Sequence, residues 1–150
     1  MQEHINNAIM QAFNQLDAIS VAGESWYRVE ATSAGYLTAE GLFDGAGGQV
    51  SLQLYNSNLQ LIDTGNAVNG TSRVDTYASA GDELFLKVLG TNSDVDFRLT
   101  NLVSLVGTTV NVAGTAGDDA FSFDAGNTHQ VAVNGVSYSF AAISVTNINF

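Results

Sequence analysis

From Trp26 to Leu99, apolar residues recur at every second position in short runs, and glycine- or asparagine-bearing turns separate the runs. Tyr27, Val29 and Ala31 alternate with Trp26, Arg28 and Glu30. Val50, Leu52 and Leu54 alternate with Ser51, Gln53 and Tyr55, and Leu84, Leu86 and Val88 with Phe85, Lys87 and Leu89. Leu37, Ala39 and Gly41 form one more such run, and Phe97 with Leu99 closes the series. Successive side chains of a strand point to opposite faces, so each run buries one face and wets the other. Turn residues fall between the runs, at Ser33-Ala34-Gly35, Asp44-Gly45-Ala46-Gly47-Gly48, Asn56-Ser57-Asn58, Asn69-Gly70, Ala80-Gly81-Asp82 and Gly90-Thr91-Asn92. Short strands at regular spacing with glycine turns predict an all-β, antiparallel sandwich over residues 24–103.

The ends of the chain depart from this pattern. In residues 4–19, Ile5, Ala8, Ile9, Ala12, Phe13, Leu16 and Ile19 recur at three- and four-residue spacing. That period predicts a short N-terminal helix capping the sandwich, with residues 1–23 as helix and lead-in. The texture changes near Ser104, and residues 108–150 are expected to form a β-rich appendage. Its clearest signal is Asn134-Gly135 between two alternating runs, because a tight hairpin turn needs two residues with positive φ. A chain that stops on Phe150 within a strand pattern is expected to be cut from a longer one, its last strand edge open to pairing with a second copy.

Residues 24–102 resemble the bacterial pre-peptidase C-terminal domain. Glu24-Ser25-Trp26-Tyr27-Arg28-Val29 is similar to that family's opening strand. Ser33-Ala34-Gly35-Tyr36-Leu37-Thr38 is similar to its Ala-Gly-x-Leu-Thr turn and strand. Val50-Ser51-Leu52-Gln53-Leu54-Tyr55-Asn56 resembles its central strand, and Ala80-Gly81-Asp82-Glu83-Leu84-Phe85-Leu86-Lys87-Val88 a later one, with Phe97-Arg98-Leu99 closing. The resemblance implies a jelly-roll-like sandwich carried by secreted or cell-surface proteins, with neighbouring domains of the same chain as partners. Gln49 and Ser51 stand where that family often has paired aspartates, so no calcium site is expected from those two side chains. Residues 114–122 resemble a single RTX nonapeptide through Gly114, Gly117, Asp119 and Phe121. That resemblance implies a calcium ion shared between successive turns.

Charge narrows the function classes. Fifteen acidic residues face four basic ones, Arg28, Arg73, Lys87 and Arg98, for a net charge of −11. Four scattered cations cannot build a phosphate-binding face, so nucleic acid is not an expected partner. No stretch approaches the ~18 apolar residues of a membrane helix, so membrane insertion is not expected either. Excess carboxylate suits Ca²⁺, which takes oxygen ligands from loops. The candidate metal ligands are Asp94 and Asp96 after one turn, and Asp118, Asp119 and Asp124 around another. Sandwich modules also bind sugars on exposed aromatic rings, which makes Trp26, Tyr36, Tyr55 and Tyr77 candidate ligand-binding residues. His4 and His129 are the only histidines, and no Gly-x-Ser-x-Gly elbow is present. The expectation is therefore a non-enzymatic structural or adhesive module, with carbohydrate binding as the alternative.

Overall fold

The computed structural model describes residues 5–7, as backbone, and residues 13–150. The chain divides into two compact units, residues 1–101 and 102–150. In the first unit the strands are β1 (Ile5–Asn7), β2 (Phe13–Glu30), β3 (Gly35–Phe43), β4 (Val50–Asn56), β5 (Leu61–Gly65), β6 (Thr71–Ala78) and β7 (Glu83–Val106), the last running on into the second unit.

Two long strands organise the first unit. β2 and β7 pair antiparallel along almost their whole lengths, from Phe13↔Thr100 to Glu30↔Glu83. The other edge of β7 is taken by β4 over Leu84–Gly90 and by β3, which in turn pairs with β6. β5 adds to β4, and β1 runs parallel to β2. β7 therefore joins β2, β4 and β3 in one largely antiparallel sheet around a shared core. Gly90 stands where the pairing of β4 with β7 ends; its φ is +133°, and a Cβ there would run into the Gln49 carbonyl oxygen. Val29, Leu52, Leu54, Leu84, Leu86 and Val88 meet Leu37, Ala39, Val74, Val95, Phe97 and Leu99 in one core. The alternation that predicted strands is thus the alternation of core and surface.

Three of the polar side chains buried in this unit, Ser72, Asn92 and Asn101, tie loops and edges together. Ser72 accepts from Leu52 N–H at 3.1 Å and donates to the Gly65 carbonyl at 2.7 Å, joining β6 to β4 and β5. Asn92 donates to the carbonyls of Asp44 and Gly48, both at 3.0 Å, and so anchors the glycine-rich loop. Asn101 accepts from Ser33 N–H at 2.9 Å and donates to the Tyr36 carbonyl at 3.2 Å. Buried polar groups are tolerated when satisfied in this way.

The predicted N-terminal helix is replaced by strand. Residues 5–7 and 13–19 are extended; residues 4 and 8–12 of that prediction lie outside the described residues. A bulge in β2 accounts for one step of the period, Leu16 to Ile19. Register shifts fall between Leu16, Ile19 and Val21, and Ala18 has a φ of +55°. An extra residue on one strand converts a two-residue period into a three-residue step. Leu16 and Ile19 both pack on the sandwich core, so the three-residue step between them matches a helical one.

The second unit adds β8 (Thr109–Val112), β9 (Phe121–Asp124), β10 (Thr128–Val133), β11 (Val136–Ala141) and β12 (Asn147–Asn149). β8 folds back on the end of β7, and β12 lies parallel to β8. β9, β10 and β11 form a separate antiparallel sheet in the order β11-β10-β9. The turn at Asn134-Gly135 has φ values of +49° and +82° and closes the β10–β11 hairpin that the sequence predicts. Val131, Val133, Val136, Tyr138 and Phe140 are buried, so the hairpin presents one apolar face to this unit's core. Among the described residues no helix is long and apolar enough to cross a membrane.

Candidate functional site

Pairing register places the candidate aromatics in two pairs. Trp26 on β2 stands opposite Lys87 on β7, which stands opposite Gln53 on β4. Arg28, Phe85 and Tyr55 form the next row. Directly opposed residues share a face, so these side chains line the outer surface of one layer. The rings of Trp26 and Tyr55 meet over β7 with centroids 5.1 Å apart and planes tilted by 43°. The Lys87 ammonium lies 5.2 Å from the Trp26 ring centroid, within range of a cation–π contact.

The polar atoms of this cluster close on one another. Lys87 pairs with Glu24 at 2.8 Å, and the Trp26 indole N–H donates to the other Glu24 oxygen at 2.7 Å. Tyr55 donates to the Gln53 amide oxygen at 2.8 Å. The Lys87 hydrogen bond, helped by that from Trp26, lowers the Glu24 carboxyl below its usual range. Sequence reasoning missed Glu24, Gln53 and Lys87; the signal that locates them is register, which the sequence of one strand does not contain.

The second aromatic pair is Tyr36 with Tyr77, register partners on β3 and β6. Their centroids are 5.4 Å apart and the rings meet edge to face at 83°. Tyr77 is half exposed and borders a groove of about 220 Å³ whose wall includes Asn56, Ile62, Thr76, Asp82 and Glu83. Further along the same strands, Arg73 holds Glu40 at 3.0 Å and Asp75 at 2.8 Å, and Thr38 donates to Asp75 at 2.6 Å. Arg28 pairs with Glu83.

The candidate calcium ligands are dispersed. Asp94 donates its backbone N–H to Asn92, and Asp96 accepts from Ala18 N–H at 2.9 Å across the β2 bulge. Asp118 and Asp124 are exposed. Asp119 is held at both oxygens, by Thr115 N–H at 2.7 Å and by the Asn134 amide at 2.8 Å. The Asn134 bond first, and the Thr115 bond second, lower its pKa. Asn134 also accepts from Ala120 N–H at 2.9 Å. The Gly114–Ser122 segment is therefore a loop pinned to the Asn134 turn, followed by a strand that pairs antiparallel with β10. An RTX repeat is one turn of a parallel solenoid, and this arrangement does not support that resemblance. Among the described residues no group of three or more His, Asp or Glu side chains is placed to hold a metal ion.

His129 packs edge-on against Phe123, with centroids 5.3 Å apart, and its Nδ1 is buried without a hydrogen-bond partner among the described residues. His4 lies outside the described residues.

No protein-family model matches the chain, and no curated protein does. Among solved structures, the pre-peptidase C-terminal domain of a collagenase from Bacillus anthracis is similar to it at 16% identity, with a TM-score of 0.48; the match covers 67% of this chain and 96% of that one.

Proposed function

We propose that the chain is a non-catalytic structural module of a larger secreted or cell-surface protein. The observation that carries this reading is how its chemically capable groups are spent. Arg73, Arg28 and Lys87 each bind carboxylates on the same or a neighbouring strand. Asp119 caps a loop, and His129 packs beneath Phe123. Catalytic groups must converge on space where a substrate fits, whereas these converge on one another. The four ordered segments between Glu24 and Leu99 that resemble a secreted-protein module support the extracellular setting. Screening peptide, ester and glycoside libraries tests the reading. No turnover is expected; reproducible turnover lost in His129→Ala would overturn it.

Carbohydrate binding is the second reading, and Tyr77 favours it. Its half-exposed ring stands beside a groove with Asn56 and Asp82 as hydroxyl partners. The tilted Trp26–Tyr55 pair is less suited, since Lys87 already lies over the indole. Retardation in gels containing neutral polysaccharide, abolished by Tyr77→Ala, is the result this second reading requires.

A further inference from the structure

The second unit leaves part of its apolar face open at one sheet edge. β9 is the outer strand of the β11-β10-β9 sheet, and its far edge has no strand partner among the described residues. All four of its residues are exposed. Phe121 stands opposite Val133, and Phe123 opposite Val131. The two phenylalanines thus share the face on which both valines are buried, yet they remain 56% and 43% exposed. Phe121 stacks on Phe150 at 4.2 Å with the planes 19° apart. Beside that stack lies a groove of about 170 Å³ lined by Val112, Phe121, Val133 and Phe150, with Asp119 at its wall.

Charge decides what fits there. Residues 102–150 contain Asp118, Asp119 and Asp124 and no lysine or arginine. These carboxylates bracket β9, two before it and one at its end. Asp119 is kept ionised by its bonds to Asn134 and Thr115. A second copy pairing antiparallel at this edge would set Asp124 near the partner's acidic pair, and like charges at close range oppose association. An extended segment with basic ends meets the opposite field.

We propose that β9 is a strand-addition site for an extended segment that alternates apolar and polar residues and carries lysine or arginine at its ends. The added strand takes the free backbone edge. Its apolar side chains lie beside Phe121 and Phe123 and extend the sheet's buried face, while its basic ends reach Asp124 on one side and Asp118 on the other.

The probe is a short synthetic peptide alternating valine and threonine with lysines at each end. A glutamate-flanked peptide of the same core and a proline-interrupted peptide serve as controls. Fluorescence anisotropy on the full chain is expected to show the lysine-flanked peptide binding at least about tenfold tighter than the glutamate-flanked one, with the gap closing as salt rises. The proline-interrupted peptide should not bind, because it cannot complete the ladder. Amide exchange should slow at residues 121–124. Asp124→Lys, at an exposed position outside the core, should narrow the preference between the two peptides while leaving the unfolding temperature unchanged, and the double variant Asp118→Lys/Asp124→Lys should abolish it. Equal affinity for both flanked peptides, protection confined to another strand, or no binding would each overturn the proposal. Self-association that protects β9 in the absence of peptide would also overturn it, by making a second copy the occupant.

Discussion

Arg73 and Arg28 both bind carboxylates, and their surroundings separate their worth. The Glu40 side chain is only 10% exposed and that of Arg73 27%. Removing Arg73 strands a carboxylate in a largely buried place, which costs far more than the pair itself contributes. Arg73→Met is expected to destabilise the chain by about 2–3 kcal/mol, read from urea unfolding. The Arg28–Glu83 pair is 40% and 34% exposed, so Arg28→Met should cost roughly 1 kcal/mol or less. Equal losses would mean that burial does not set the difference. Asp119 gives a pH signature. Its folded pKa is lowered by Asn134 and Thr115, so the unfolded chain binds its proton first as pH falls. The Asp119 contribution is present at neutral pH and is lost from about pH 4 downward, through the unfolded and then the folded pKa. In Asp119→Asn the new NH2 group would face either the Asn134 NH2 or the Thr115 N–H, donor to donor. That variant should unfold at lower temperature at pH 7 and lose part of the wild-type decline below about pH 4.

At the level of elements, β2 marks where the sequence could be read and where it could not. Alternation from Trp26 onward yields strands because one face of each is core, and Asn134-Gly135 yields a hairpin because few residue pairs accept two positive φ values. The helix expected over residues 4–19 rested on three- and four-residue spacing, and a bulge supplies one of its steps: an inserted residue sets Leu16 and Ile19 three apart while both pack on one core. Only the partner strand, about eighty residues away in sequence, reveals the shift. The same non-locality hides the Trp26–Tyr55 cluster, whose members sit on β2 and β4 with β7 between them. Alternation marks each ring as outward-facing but does not say which rings meet. The bulge itself can be tested. Alanine at a φ of +55° is strained, and a β-branched residue fits that region worse. Ala18→Val should cost about 1–2 kcal/mol. Ala18→Gly should change stability by less than about 0.5 kcal/mol, because relief of strain offsets the larger entropy of the unfolded glycine chain. Equal destabilisation by both variants would place the sensitivity in packing rather than in backbone conformation.

Across the whole molecule the dominant physical fact is a charge of −11 carried with only four cations. Arg28, Arg73 and Lys87 are already committed to carboxylates, so most of the acidic surface has no protein counter-charge. Self-repulsion of that kind opposes the compact state and is relieved by mobile ions. At ~0.1 M salt the Debye length shrinks to about 10 Å, shorter than most separations across a domain of this size. Unfolding temperature should therefore rise by a few degrees as NaCl goes from about 10 mM to 300 mM, since the relieved repulsion exceeds what the partly exposed ion pairs lose. Divalent ions separate screening from coordination. Asp119 accepts a hydrogen bond at each oxygen and Asp96 accepts one from Ala18 N–H, so a metal at either loop would share its carboxylate with a hydrogen bond already made. CaCl₂ and MgCl₂ at matched ionic strength are expected to raise the unfolding temperature equally, and EDTA to have no effect beyond its own ionic strength. Coordination would look different, because Ca²⁺ accepts seven or so irregular oxygen ligands where Mg²⁺ demands six in an octahedron. A rise specific to calcium, lost in Asp119→Asn, would put a bound ion in the loop before β9; one lost in Asp96→Asn would put it beside the β2 bulge. Either result would replace screening with a site. The Asp119 result would also make the Asn134 bond to Asp119 the feature that calcium rearranges, detectable as a calcium-dependent change in amide exchange at Ala120.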